Sequence, residues 1–256
     1  MKPQDYFAVK AISASFLKAC SFSAHAGWKF LNEKSFQSDA MAFGSAVHTS
    51  ILEPHLFNDQ YAISEKFDKR TKVGKEASAA FELANAGKLI IDQDEFFKIS
   101  KIKENCLAIP AVKNALDTFE KEKSLMWDIG DKKFKARLDL VDVKNGVVID
   151  LKTTRDASER GFLRQLLELR YDIQLYHYLM SVKGSAAYAI AVETETCEVA
   201  LYDLTDIVMS EFTNKRYLKA LETAMHVMQM TECPPKFKAE IISLTLPKWT
   251  IEMETV

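Results

Sequence analysis

The chain has 256 residues, 48% hydrophobic and 11% aromatic, enough to close a full core and bury roughly three quarters of the surface an unfolded chain exposes. With 34 Lys and Arg against 36 Asp and Glu, the formal charge is -2. That excludes a histone-like basic coat and leaves any nucleic-acid contact to a local patch or a bound metal. Cys20, Cys106, Cys197 and Cys233 form no CxxC pair, which argues against a zinc knuckle or a sequence-local iron-sulfur site. No linker-like or low-complexity block divides the chain, so a single domain over 1–256 is expected. Residues 1–30 hold neither a signal-peptide pattern nor an 18-residue apolar run. A cytoplasmic, reduced, soluble protein is the expectation.

The first half reads as helical. Ser13 to about Leu31 carries Phe16, Leu17, Cys20 and Phe30 at near-helical spacing, and Asp39 can cap a second helix running through Phe43, Val47 and Ile51 to Glu53-Pro54. From Asn58 to Lys75 the chain is polar, with Lys66, Lys69, Arg70, Lys72 and Lys75 in either a mobile basic loop or a plain solvated one. Two helices follow, Glu76 to Ala86 with Gly87 as its stop, and one opened by the capping box Asp92-Gln93-Asp94-Glu95. At about Ser124 the period changes to two. Phe134, Ala136, Leu138 and Leu140 alternate with Lys135, Arg137 and Asp139, and Asn145-Gly146 suits a two-residue hairpin turn before a strand over 147–154. Helices over 157–170 and 172–182, strands over 186–193 and 198–204, and a long helix from Thr205 towards Met230 complete an α/β (α+β) chain with a small central mixed sheet flanked by helices.

With Asn145 and Gly146 as the central turn residues, Asp139 faces Lys152 and Val141 faces Asp150. Opposed strand residues share a face, as do residues two apart, so Asp139, Asp150 and Lys152 converge within roughly 5 to 8 Å, with Arg137 on the same face. One reading is a solvated strand with weak cross-strand ion pairs of about 0 to 1 kcal/mol. Against it, the stretch GVVIDLKTT is apolar on both sides of the charged pair, which puts the charges at the rim of a buried sheet. Two hard oxygen ligands there suit Mg2+ or Mn2+, and a lysine beside them can polarise the attacking water or neutralise phosphate.

Leu138-Asp139, ten further residues, then Asp150-Leu151-Lys152 resembles the motif of the PD-(D/E)XK nuclease superfamily, with Leu138 in place of the proline and Asp150 as the second acid. Gln174-Leu175-Tyr176-His177-Tyr178 is similar to the QxxxY motif of the exonuclease VIII (RecE)-like branch of phage and prophage exonucleases. Phe43-Gly44-Ser45-Ala46-Val47-His48 with Glu53-Pro54 resembles its FGxxxH segment and EP ending, and Ile12 to Lys18 resembles its opening. Four motifs occur in order between about residues 12 and 180. On residue type alone, His48 reads as a core histidine, Tyr178 as core and Gln174 as surface.

The resemblance implies a restriction-endonuclease-like core and a Mg2+ (or Mn2+)-dependent exodeoxyribonuclease that hydrolyses linear duplex DNA from 5′ ends in phage-type recombination. It implies two metal ions held by Asp139, Asp150, His48 and the Leu151 carbonyl, Lys152 at the nucleophilic water or the transition-state charge, and Gln174 and Tyr178 supporting the site. Arg137, Thr153, Thr154, Arg155, Arg170 and the 66–75 segment are candidate phosphate contacts. The expected partners are double-stranded DNA ends, a single-strand annealing recombination protein and further copies of the chain in a closed trimer or tetramer, with no membrane. The alternatives are a single-strand or structure-specific nuclease of the same fold and a noncatalytic DNA-end-binding subunit.

Overall fold

The computed structural model describes residue 6, residues 9–34 and residues 38–237. Residues 1–5, 7 and 8, part of the opening segment read above, lie outside them, as do 35–37 and 238–256. In chain order the elements are β1 (Ile12–Ser13), α1 (Ala14–Phe22), α2 (Ala24–Asn32), α3 (Asp39–Leu52), a 3-10 turn (Pro54–Leu56), α4 (Phe57–Gln60), β2 (Tyr61–Ser64), α5 (Lys72–Ala84), β3 (Leu89–Asp92), α6 (Gln93–Ala108), α7 (Pro110–Thr118), β4 (Glu120–Ile129), β5 (Lys132–Asp142), β6 (Val147–Thr154), α8 (Glu159–Glu168), α9 (Tyr171–Val182), β7 (Ala186–Glu193), β8 (Val199–Asp203), α10 (Thr205–Val208) and α11 (Glu211–Val227).

Six strands form one mixed sheet in the order β1-β5-β6-β7-β8, with β4 also paired to β5. The strands β6 and β7 are parallel and are joined through α8 and α9, a crossover that lays both helices on one face. On that face Phe162, Leu166, Leu175 and Leu179 pack against Ala187, Ala189 and Ala191 of β7, whose small side chains let the helices come close. On the other face α3, α6 and α7 bring Val47, Ile51, Ile102 and Val112 onto Leu140, Ile149, Leu151, Ile190 and Val192. Both faces are thus covered, which is why the central strands read as nearly continuous apolar runs. A third cluster joins α1 and α11 through Phe16, Leu17, Tyr217 and Ala224.

Several boundaries differ from the sequence reading, each for a local reason. The helix expected over Ser13 to Leu31 breaks at Ser23, whose backbone is extended and whose hydroxyl accepts from Ala26 N to start α2. The long C-terminal helix is interrupted in the same way by Ser210, which caps α11 through Thr213 N. Ser38, not Asp39, caps α3. The capping box at Asp92 and Glu95 is present in both directions. The 58–75 segment is not a loop throughout: it holds β2 and the start of α5, and Lys66, Lys69, Arg70 and Lys72 pair with Asp94, Glu82, Asp68 and Glu76. Those exposed pairs favour the solvated-charge alternative over a basic arm.

The hairpin between β5 and β6 is the correction that matters most. Its turn has four residues, Val143 to Gly146, because the Asp142 carboxylate accepts both the backbone and the side-chain N–H of Asn145 and so starts the turn early. Gly146 closes it at φ 67°, and its carbonyl accepts from Ser185 N at 2.9 Å, tying the turn to the start of β7. A Cβ on Gly146 would lie 2.9 Å from the Gly184 backbone, so only glycine fits. The register becomes Leu140 opposite Ile149 and Val141 opposite Val148, two residues away from the expected pairing. A slip of two preserves the face each side chain occupies, whereas a slip of one would have reversed it.

Candidate active site

The ladder between β5 and β6 stops at Leu140 and Ile149. The next rung would set Asp139 opposite Asp150, and there a side chain replaces the backbone: the Leu151 N–H donates to Asp139 Oδ2 at 2.8 Å. Two carboxylates therefore meet where the sheet opens, and both are buried, Asp150 completely. Burial and the neighbouring Asp150 charge push the Asp139 carboxyl above its ordinary range. One oxygen of Asp150 lies 2.5 Å from Lys152 Nζ, a short ion pair inside the buried site. Burial opposes the charge on Lys152, but Asp150 and Asp139 outweigh it and hold its ammonium above the usual lysine range.

The helix α3 delivers His48 to the same point. Its Nε2 sits 2.6 Å from the Leu151 carbonyl, and a carbonyl only accepts, so Nε2 carries the proton. Its Nδ1 therefore presents a lone pair, 3.7 Å from Asp139 Oδ2. Burial and Lys152 lower the imidazole pKa, which keeps the ring neutral. One turn before His48, Gly44 lets α3 approach β6: a Cβ there would stand 3.1 Å from Thr153 Oγ1.

Glu122 completes the cluster, and the sequence reading missed it. His48, Glu122 and Asp139 each offer a ligand atom, all within 4.8 Å of one another. Glu122 lies in β4 between Lys121 and Lys123, which pair with Leu140 and Leu138, so it belongs on the Asp139 rung. Its φ of 49° interrupts that rung at a cost of about 1 to 2 kcal/mol. The signal was available: Gly130-Asp131 closes a hairpin with Ile129 opposite Lys132, and counting back from it puts Glu122 beside Asp139. Starting the strand at Ser124 hid it. Arg137, expected at a phosphate, instead donates to Glu122 and, at 3.3 Å, to Glu53, and so holds Glu122 in place.

Gln174 and Tyr178 lie on one face of α9 and both reach the site. The Gln174 amide donates to Asp150 Oδ1 at 3.3 Å and to the Tyr178 hydroxyl at 2.8 Å, while its carbonyl accepts from Lys18 Nζ at 3.2 Å. Lys18 fixes which way the amide points, because only the oxygen can accept from an ammonium. Lys18 and Lys152 both stand over the Tyr171 ring, at 4.7 and 5.0 Å. Burial and Lys152 lower the Lys18 pKa to about 8. The fold thus brings together His48, Asp139, Asp150, Leu151, Lys152, Gln174 and Tyr178, and adds Glu122 and Lys18. Thr153, Thr154 and Arg155 line a neighbouring cleft of about 1020 Å³ with Phe43 and Arg164. Arg170 lies outward of the site, over the Phe22 ring.

The donor set fits a hard divalent cation. The imidazole lone pair of His48 and the carboxyl groups of Glu122 and Asp139 gather within 4.8 Å of one another, with Asp150 beside them, a cluster of acceptors that a cation satisfies. The Leu151 carbonyl, expected as a ligand, accepts the His48 N–H and so orients that ring. No helix among the described residues is long and apolar enough to cross a membrane.

Comparisons with known proteins agree with this geometry. A crystal structure described as "Putative exonuclease" from Eubacterium rectale superposes with a TM-score of 0.63 at 14% identity, over 100% of this chain and 98% of that one, which shows a shared fold. A phage related exonuclease from Haemophilus somnus 129PT aligns with a TM-score of 0.37 at 12% identity, over 71% of this chain and 91% of that one. No curated protein matches the sequence. Residues 13–244 match the family described as PDDEXK-like domain of unknown function (DUF3799). The chain belongs to that family, and its mixed sheet with acids and a lysine at the opening between β5 and β6 is a PD-(D/E)XK nuclease fold.

Proposed function

We propose that the protein is a divalent-metal-dependent exonuclease that hydrolyses phosphodiester bonds at the ends of linear duplex DNA. The observation that carries this reading is the meeting of Asp139, Asp150 and Lys152 at the broken rung, beside the ligand atoms of His48 and Glu122. His48, Glu122, Asp139 and Asp150 are the residues that would hold Mg2+ or Mn2+. Such an ion supplies positive charge beside the scissile phosphate and makes water more acidic. Lys152, held as an ammonium, orients the attacking water and offsets charge on the phosphoryl oxygens; its raised pKa argues against a role as general base. Gln174 and Lys18 keep Asp150 and Lys152 in register, and His48 contributes through Nδ1.

Attack from 5′ ends, a place in phage-type recombination beside a single-strand annealing protein, and a closed trimer or tetramer extend this reading, and they rest on the order of the four sequence motifs. The discriminating assay compares acid-soluble nucleotide release from linear and covalently closed circular duplex. Release from the linear form alone, with Mg2+ and not with EDTA, is expected. Cutting of the circle would replace the exonuclease by an endonuclease, and no release in either case would leave a DNA-end-binding subunit. Light scattering across a concentration series checks the assembly, for which a monomer mass is the contrary result.

A further inference from the structure

We infer that a single strand of DNA runs outward from Lys152 along a track of arginine and phenylalanine side chains, with bases on Phe22 and Phe212 and phosphates on Lys18 and Arg170. This rests on the nuclease reading above and adds the path of the strand. The track is a chain of contacts. Lys152 and Lys18 share the Tyr171 ring. Lys18 and Phe22 are four apart on α1 and therefore neighbours on its surface. Arg170, in the left-handed conformation just before Tyr171, lays its guanidinium 4.7 Å from the centre of the Phe22 ring. Arg170 and Arg216 both donate to the Leu167 carbonyl, at 2.6 and 3.1 Å, and Arg216 lies 5.0 Å from the centre of the Phe212 ring.

Two features give this surface its chemistry. First, two guanidinium groups converge on one carbonyl, and the carboxylate that pairs with Arg216, Asp172, is completely buried. Among the described residues neither Lys18 nor Arg170 has a carboxylate within ion-pair distance, so positive charge remains open towards a ligand. Second, Phe22 and Phe212 are each 56% exposed. Exposed rings interleaved with cations form a stacking platform for unpaired bases on a phosphate chain, whereas a duplex keeps its base faces inside the stack. A protein partner would not need open cations leading into a phosphodiester site.

The test measures binding in EDTA, so that nothing is cleaved, to oligothymidylate and to an abasic oligonucleotide of equal length and charge. The wild type is expected to bind oligothymidylate roughly tenfold or more tightly, the equivalent of stacking on at least one ring. The double variant Phe22→Ala, Phe212→Ala should lose that preference while hydrolysing bis(p-nitrophenyl) phosphate with Mn2+ at the wild-type rate. Both rings are largely in solvent, so folding is expected to be unaffected. Arg170→Ala should weaken both oligonucleotides alike and reduce the salt slope by about one. Equal wild-type affinity for the two oligonucleotides, or a double variant that keeps the preference, overturns the track. So does a double variant that changes only the molecular mass in light scattering, which would make the patch a contact between copies. Hydrolysis without base preference loses the track alone; base preference without hydrolysis of DNA or the small diester keeps the track and loses the nuclease.

Discussion

Two histidines with the same tautomer, one buried and one half-buried, show how differently two stretches of β5 are used. His177, on α9, gives its Nε2 proton to the Lys135 carbonyl and receives the Tyr217 hydroxyl at Nδ1, both at 3.0 Å, beneath the rings of Trp127 and Phe134. Every polar atom of that imidazole is satisfied. His48 gives its Nε2 proton to the Leu151 carbonyl, but its Nδ1 stands 3.7 Å from Asp139 Oδ2, which already accepts the Leu151 N–H. The first ring is held at both nitrogens by the fold; the second joins Glu122 and Asp139 in a set of ligand atoms that suits a cation.

That contrast can be broken most severely at Lys152. Its removal strands the fully buried Asp150 carboxylate, so Lys152→Ala should cost about 3 to 5 kcal/mol of stability by denaturant titration and lower cleavage by about a thousandfold or more. Turnover near the wild-type level at saturating Mg2+ would remove Lys152 from the chemistry.

Exchanging the histidines one at a time sharpens the comparison. His48→Ala should reduce turnover about a hundredfold with little change in melting temperature. His177→Ala should lower stability by about 1 to 3 kcal/mol, because the Tyr217 hydroxyl and Lys135 carbonyl lose their partner, and leave specific activity intact. The opposite pairing of effects would reverse the roles given to the two rings. Arg137→Ala tests the support behind Glu122: Mn2+ affinity should fall about 10- to 100-fold by calorimetry. A change confined to the KM for DNA would return Arg137 to the phosphate contact first expected of it.

A further effect is on acid stability. Burial lowers the His177 pKa to about 4, below the unfolded value near 6.5. The unfolded chain then takes up a proton that the native state refuses, so this contribution is complete above about pH 6.5 and is lost as pH falls towards 4. Urea midpoints followed over that range should show a steeper decline in the wild type than in His177→Phe; parallel curves would mean that another group sets the acid limb.

The central sheet and the acidic pair were legible because they depend on period and parity. A slip of two keeps parity, so the misread turn at Asn145-Gly146 left Asp150 and Lys152 on their expected face, and the Asp139 side chain meets them where the ladder opens, through the Leu151 N–H. Glu122 was lost because a strand boundary was drawn four residues too late, at Ser124 instead of Glu120. Lys18 and the Tyr171 ring were not legible, since the 156 positions between Lys18 and Gln174 are closed only by packing of α1 on α9. Breaks at Ser23 and Ser210 went unread because apolar spacing runs through both, while a single hydroxyl decides where the helix restarts.

The most direct measurement is titration of Mn2+ by calorimetry into the wild type, Asp139→Asn and Asp150→Asn, each checked by thermal melting without metal. The wild type should release heat on binding. Asp139→Asn should bind weakly or not at all while melting at or above the wild-type temperature, because the charged carboxylate it removes is disfavoured by burial and by Asp150. Asp150→Asn should lose the heat as well. Wild-type binding heat in both variants, with their folds intact, would contradict a metal site at the opened rung of the sheet.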